Sequence, residues 1–426
     1  MSAPSPRRAV LTGLGLISAL GSDADTVWNA LVSGKSGVRR LAQFDAVDLP
    51  CRVGAEIPDF DAKKIITQKE QRKTLKVMAR TVQLGVAAAQ KAVEAAALKP
   101  GQIAPARFGV EFACVMVATE PEDMAGGAKL TANKTPGTVD MAGWGTEGIR
   151  QVPPLWMLKY LPNMPACHVS VNHDAKGPNN TITASDAAGL LALGEAYRIL
   201  GRDVADAFLV GGCESKLNPV SFARHTTFHA LTRHNQAPEQ AVRPFDATRD
   251  GTALGEGGIV MLLEELEGAK MRGAPVDAEL VGYASGFDRG RKGPVLAGVI
   301  RNAMKEAGVT VADIDHVNAG AGGIPELDAF EARGIHEVFG TAVPVVSYKP
   351  HFGSLGAASG LIELAVSVLA LKRGELPGTL NFTTPDPACP VSVHVGKPRP
   401  VTKPYAVKVS YTDLGQCAAV VVKKGT

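Results

Sequence analysis

A chain of 426 residues, 45% hydrophobic and 20% charged, has room for one large two-lobed α/β unit with a sizeable core. Its 45 basic and 42 acidic residues leave a formal charge of +3, which gives no general attraction to nucleic acid. No stretch approaches the roughly 18–20 uncharged apolar residues of a membrane span, and MSAPSPRR leads into a strand-like run rather than a secretory segment, so a cytoplasmic location is expected. The six cysteines have no CxxC spacing and read as small buried hydrophobes, with no disulfide framework, metal site or other cofactor called for.

Along the chain, β-rich runs alternate with Ala- and Leu-rich helical stretches, the rhythm of α/β layers. Ala9-Val10-Leu11-Thr12 reads as the first strand, closed by the turn glycines Gly13 and Gly15. These two lack a third glycine at dinucleotide-fingerprint spacing and continue into Leu16-Ile17-Ser18, so they mark a tight strand end and not a phosphate loop. Lys69-Glu70-Gln71-Arg72-Lys73 opens a basic helix, and an apolar helix follows from Val82 to Ala97. Residues from about 120 to 165 are rich in Gly, Met and Trp and read as an inserted cap with an apolar surface. A helix from Gly189 to Leu200 leads to a strand at Ala207-Phe208-Leu209-Val210, ended by Gly211 and Gly212. Strands, an Ala-rich helix and glycine-bounded turns recur after Gly257, which suggests an internal duplication: a first half over 1–256, carrying the cap, and a second over 257–426.

Several long motifs stand in order. Leu11-Thr12-Gly13-Leu14-Gly15, the block from Gly177 to Thr183 with Gly211-Gly212-Cys213-Glu214, and Arg243-Pro244-Phe245-Asp246 with Arg249-Asp250-Gly251 and Gly255-Glu256-Gly257 together resemble the β-ketoacyl-acyl-carrier-protein synthases. The resemblance spans nearly the whole chain. It implies the thiolase-like α/β fold, five layers in the order α-β-α-β-α with two pseudo-equivalent halves, and a dimer. It also implies an acyl-transfer site built from a cysteine and two histidines, with a helix N-terminus activating the thiol and the imidazoles polarising the malonyl carbonyl as the enolate forms.

At all three matching positions this chain carries something else. Asp186 stands at the cysteine's place, and a carboxylate is a poor acceptor of an acyl group because the anhydride formed is less stable than the thioester consumed. Its structural reading is a cap, from Ser185 or Asp186, on the central helix. Gly320, in Val317-Asn318-Ala319-Gly320, and Ser354, in Ser347-Tyr348-Lys349-Pro350-His351-Phe352-Gly353-Ser354, stand where the family has its histidines. His351 lies close in sequence and could supply a relocated imidazole, although a lone loop histidine is more often structural. The supporting charges survive: Lys349, Asp328 and Glu331, with Lys349 and Glu331 expected as a buried pair organising the two loops. The gate loop reads Thr412-Asp413-Leu414-Gly415 and has lost most of the family's glycines, while Cys417 beyond it reads as a buried small residue.

One surface motif bears on partners. Lys69, Arg72 and Lys73, with Arg233 as a further member, resemble the basic patch that receives an acidic acyl carrier protein. The leading expectation is a non-condensing homologue from fatty-acid or polyketide synthesis, similar to chain-length factors. It would bind acyl chains or carrier protein and form a homodimer, or a heterodimer with a competent ketosynthase, with no nucleic-acid or membrane partner. Two alternatives stand beside it: an acyltransferase or decarboxylase using Asp186 as a general base whose pKa burial raises, and an inert homodimeric scaffold.

Overall fold

The computed structural model describes residues 7–425 except residue 118. Ten strands carry the architecture: β1 (Ala9–Ile17), β2 (Phe108–Ala113), β3 (Asn179–Ile182), β4 (Ala207–Ser215), β5 (Leu254–Glu265), β6 (Ala278–Phe287), β7 (Ile314–Ala319), β8 (Val345–Ser347), β9 (Tyr405–Tyr411) and β10 (Gln416–Lys424). The first five lie in the spatial order β3-β2-β4-β5-β1 and the last five in the order β8-β7-β9-β10-β6. Each half therefore repeats one topology. In both, three strands run parallel and the remaining two close the sheet antiparallel. The half-sheets join where Ala9–Leu11 pairs with residues 278–280.

Burial assigns the helices to layers. Helix α1 (Arg80–Ala95) buries Val82, Leu84, Val86 and a run of alanines against the outer face of the first half-sheet. Helix α2 (Ala188–Gly201) lies between the half-sheets, while α3 (Pro294–Ala307) and α4 (Pro325–Phe339) cover the outer face of the second. Helix α5 (Ser359–Arg373) joins α2 in the middle and buries every residue from Ser359 to Leu371, the pattern of a helix covered on all sides. Three apolar seams thus hold five α-β-α-β-α layers together. No helix among the described residues is long and apolar enough to cross a membrane.

Two expectations change. The half boundary placed at residue 256 falls inside β5, a strand of the first half-sheet paired to both β1 and β4. The run Asp206–Gly212, which the expected dimer would place in or near its interface, is not a sheet edge: Ala207–Gly212 is fully enclosed, because β4 has β2 on one side and β5 on the other. The open edge of this half-sheet is β3 instead. The cap is an ordered pair of helices, Pro121–Leu130 and Met141–Thr146, followed by short helical turns. Its glycines have a packing reason: a Cβ on Gly127 would meet the Trp144 ring at 2.7 Å. Leu130, Met141, Leu155 and Met157 leave an apolar outer surface.

The close approach of α1 to β1 depends on Gly15, where a Cβ would stand 2.0 Å from the Ala88 carbonyl oxygen and 2.3 Å from the Ala92 nitrogen. Backbone cannot step aside as a side-chain end can. Gly15→Ala should therefore destabilise the protein by about 2–4 kcal/mol, read as a lowered denaturant midpoint at unchanged slope.

Candidate functional site

Chain segments from both halves converge on one pocket. Ser185 and Asp186 come from the turn between β3 and α2, Gly320 and Gly322 from the end of β7, Lys349 and Ser354 from the segment after β8, and Tyr411 and Asp413 from the end of β9. The positions that the sequence reading singles out as the family's cysteine and two histidines are therefore neighbours in space. The pocket encloses about 100 Å³.

Asp186 follows a sharp elbow, since Ser185 holds φ +44°, a left-handed conformation that costs a residue with a Cβ on the order of 1 kcal/mol. The expected helix cap is not formed: neither side chain accepts a bond from the α2 N-terminus. The carboxylate turns to Lys349, whose Nζ donates to Asp186 Oδ1 at 2.9 Å, and the Ser354 hydroxyl lies 3.4 Å from the same oxygen. Burial would raise the Asp186 pKa, but the charge and hydrogen bond of Lys349, aided by Lys216, outweigh it and hold the carboxyl below its ordinary range. A general base whose pKa burial lifts toward neutrality, as one sequence alternative required, is not what stands here.

Lys349 also departs from expectation. Its second partner is Glu363 of α5, at 3.0 Å, and not Glu331. Glu363 in turn accepts from Lys408 of β9 at 2.6 Å, so an alternating chain runs Asp186, Lys349, Glu363, Lys408. Lys408 is completely buried, and burial lowers its pKa. Glu331 faces the other way and accepts the Gly320 N–H at 2.7 Å. Its second oxygen has no partner, and burial pushes its carboxyl up to about 8. Asp328 accepts the N–H groups of Gly322, Gly323 and Phe245, which ties the loop after β7 to Phe245 at its φ of +62°. Burial raises its pKa to about 6. Sequence reading missed Glu363 and Lys408 because a buried charge on an apolar helix or strand shows its purpose only when its partner, 45 residues away, is seen.

Gly320 lines the pocket, and a Cβ there would meet the Tyr411 ring and Glu331 Oε1 at 3.5 and 3.6 Å, ordinary contact distances, so packing alone does not demand a glycine. His351 is not an imidazole of this pocket: its Nδ1 bonds the Lys35 carbonyl at 2.8 Å, it is fully buried away from the pocket lining, and burial lowers its pKa to about 4. The imidazoles that do line the pocket are His225 and His229, stacked 4.8 Å apart on the helix Pro219–Phe228 and the residue after it. Burial, then the Lys216 charge, lowers both. Among the described residues none of the pocket hydroxyls of Ser185, Thr252, Ser354 and Ser410 is hydrogen-bonded to an imidazole. The hydroxyls of Ser185 and Ser354 lie on the Asp186 carboxylate instead, whose pKa Lys349 helps to hold down.

The gate segment is a closed turn. Thr412 N–H donates to the Gln416 carbonyl at 2.8 Å, Gly415 N–H to the Thr412 carbonyl at 3.0 Å, and Arg291 donates to the Asp413 carbonyl, leaving Leu414 exposed. Cys417 is buried with its pKa raised by burial to about 11, as an inert thiol would be. At the surface Lys69, Arg72 and Lys73 are exposed on the short helix Lys69–Thr74, with Lys73 paired to Glu70 at 2.7 Å. Arg72 and Lys73 share a shallow concavity with Lys63 and Lys76. Arg233 is not part of that concavity; its N–H donates to Asp250, next to pocket-lining Leu231.

Comparison with known proteins follows the architecture. Residues 7–269 match the β-ketoacyl synthase N-terminal domain and residues 278–383 the β-ketoacyl synthase C-terminal domain. A 3-oxoacyl-[acyl-carrier-protein] synthase 2 from Coxiella burnetii is 33% identical over 392 residues, covering 90% of each chain. The ishigamide ketosynthase/chain length factor superposes with a TM-score of 0.85 at 27% identity, over 99% of this chain and 100% of that one. A type II polyketide-synthase acyl-carrier protein in complex with its ketosynthase bound to the hexaketide gives 0.81 at 27% identity, with 99% and 100% covered.

The raised Glu331 pKa sets a pH dependence with a definite sign. A carboxyl protonated more readily in the folded state stabilises fully below its unfolded pKa, and that contribution is lost as pH rises toward about 8. Glu331→Gln keeps an acceptor for Gly320 and removes the titration. Relative to wild type it should gain stability steadily from pH 5 to pH 8 in thermal unfolding; a constant difference across that range would show that Glu331 does not titrate there.

Proposed function

The chain belongs to the β-ketoacyl synthase family of fatty-acid and polyketide synthesis, and we propose that within it this protein is a non-condensing subunit, similar to chain-length factors, that works beside a competent ketosynthase and its acyl carrier protein. One observation carries the reading: the side chain at the elbow, where the family's cysteine is expected, is a carboxylate locked in an ion pair with Lys349.

Condensation needs an acyl acceptor and groups that support the enolate oxygen as carbon dioxide leaves. Asp186 would give an anhydride less stable than the incoming thioester, and its charge is neutralised by Lys349. Gly320 has no side chain, and Ser354 offers a hydroxyl already placed beside Asp186. His225 and His229 are held neutral by burial and so cannot supply a cationic clamp at neutral pH. A cavity of about 100 Å³ is also well below the roughly 300 Å³ at which ligand pockets begin, which supports a role in surface and partner contacts over an acyl site of its own. The low Asp186 pKa weighs against the refitted-enzyme alternative. The surface patch of Lys69, Arg72 and Lys73 supports carrier docking over the inert scaffold, with Arg233 a weaker contributor because it stands outside the concavity that Arg72 and Lys73 share. The two-half division of the chain, with the cap on the first half, belongs to the same proposal.

Two outcomes follow. The purified protein should not elongate a malonyl-carrier substrate, and Asp186→Cys alone should not restore elongation, because Gly320 and Ser354 leave the enolate unsupported; turnover by the single mutant at a rate like that of an ordinary ketosynthase would overturn this account. Reversing Arg72 and Lys73 to Glu should weaken binding of an acyl carrier protein by about 1–3 kcal/mol and flatten its salt dependence, with folding nearly unchanged since the side chains are exposed. Titration at two ionic strengths reads both effects, and an affinity untouched by the reversal would mark the patch as a merely solvated face.

A further inference from the structure

One amine of the pocket stands outside the chain of charges that holds Asp186. Lys216 follows β4 by one residue and lines the same cavity as Asp186, His225 and His229, with its side chain 20% exposed. Among the described residues its ammonium has a single partner, an ion pair with the buried Glu214. That contact is one of charge alone, since Glu214 Oε1 accepts no hydrogen bond, while Oε2 accepts the Ala357 N–H at 2.7 Å. Burial lowers the Lys216 pKa; the Asp186 charge opposes the fall, Arg224 adds to it, and Cys114 and Asp413 oppose it. Lys349 is the other lysine of the lining, and it keeps its proton: burial lowers its pKa, but Asp186 and Glu363 outweigh that and hold it above the ordinary range. Two hydrogen bonds also occupy its Nζ. His225 and His229, neutral through burial, bring no charge of their own. The lining further holds Leu231, Leu254, Ile324 and Leu327, an apolar wall for an alkyl chain.

A lysine that sheds its proton readily inside a small, partly apolar cavity is a nucleophilic amine, and the carbon such an amine attacks reversibly is that of a carbonyl. We propose that Lys216 forms an iminium with a short aliphatic aldehyde, with Glu214 as the group that takes and returns the proton. The ammonium passes one proton to Glu214, and the freed electron pair of Nζ attacks the aldehyde carbon while the carbonyl π pair moves to oxygen. A second proton passes from nitrogen to that oxygen, Glu214 returns the first, and the oxygen leaves as water while the C=N bond closes. One hydrogen and the positive charge stay on nitrogen, so the ion pair with Glu214 is kept and no oxidant or further reactant is needed. Size selects the class of ligand. An apolar cavity of about 150 Å³ takes a benzene ring, so the pocket of about 100 Å³ admits a chain of about three or four carbons. The site stands on Lys216 and its surroundings and not on the non-condensing reading, so a failed trap leaves the absence of elongation as it is.

The test traps the iminium on the whole wild-type chain. The protein is incubated at pH 7 with limiting propanal and sodium cyanoborohydride, which delivers hydride to the iminium carbon and fixes it as a secondary amine, and the modified lysines are located by peptide mass spectrometry. Lys216 should be alkylated about tenfold faster than the exposed Lys69, because more of it stands unprotonated. Naphthaldehyde, too large for the cavity, should modify Lys69 and spare Lys216. Lys216→Met should lose the fast site and keep the slow ones, and the wild-type map decides the question even where that variant folds poorly. Propanal labelling of Lys216 no faster than that of Lys69, or equal labelling of Lys216 by the two aldehydes, would refute the proposal.

Discussion

The structure turns on Lys349. Its ammonium group is buried between Asp186 of the first half and Glu363 of the second, at 2.9 and 3.0 Å, and so ties the elbow before α2 to the central helix α5. Burying one charge without partners would cost several kcal/mol, and removing either partner would leave an uncompensated ion in the middle layer. Lys408 completes the balance on the far side of Glu363. The charge is stable because it is shared along a line, and that sharing leaves Asp186 neither basic nor free.

The same pattern runs through the pocket. The carboxylate is held in its ion pair, Glu331 on the Gly320 backbone, His351 on the Lys35 carbonyl and the gate segment in its own hydrogen bonds, and the proposed non-condensing role rests on these contacts. Facing outward are an exposed basic helix and a cap with an apolar outer surface, the two surfaces on which the proposed partner contacts rest.

Much of the fold was readable because its signals are local. Glycines at strand ends, an Ala-rich α1 and the long motifs around Gly177 and Arg243 each report on a few neighbouring residues, and together they placed the chain in its layers. Motif spacing singled out Asp186, Gly320 and Ser354, and the three line one pocket. What escaped was long-range pairing. Nothing near Lys349 in sequence says that its partner is Glu363 rather than Glu331, and nothing near Lys408 says why a lysine sits in an apolar strand. His225 and His229 stand in no motif read from the sequence, so their approach to the pocket was invisible. The apolar run Asp206–Gly212 shows the same limit: an interior strand and an edge strand can share one hydrophobic pattern, and only pairing on both sides tells them apart.

The central claim is that the elbow carboxylate cannot take an acyl group. Intact-mass spectrometry of the protein after incubation with an acyl-carrier thioester, alongside a competent ketosynthase as positive control, addresses it directly. The account predicts an unchanged mass for this chain while the control gains one acyl group. A stoichiometric acyl adduct on this chain, mapped to Asp186 or to any other side chain of the pocket, would contradict it.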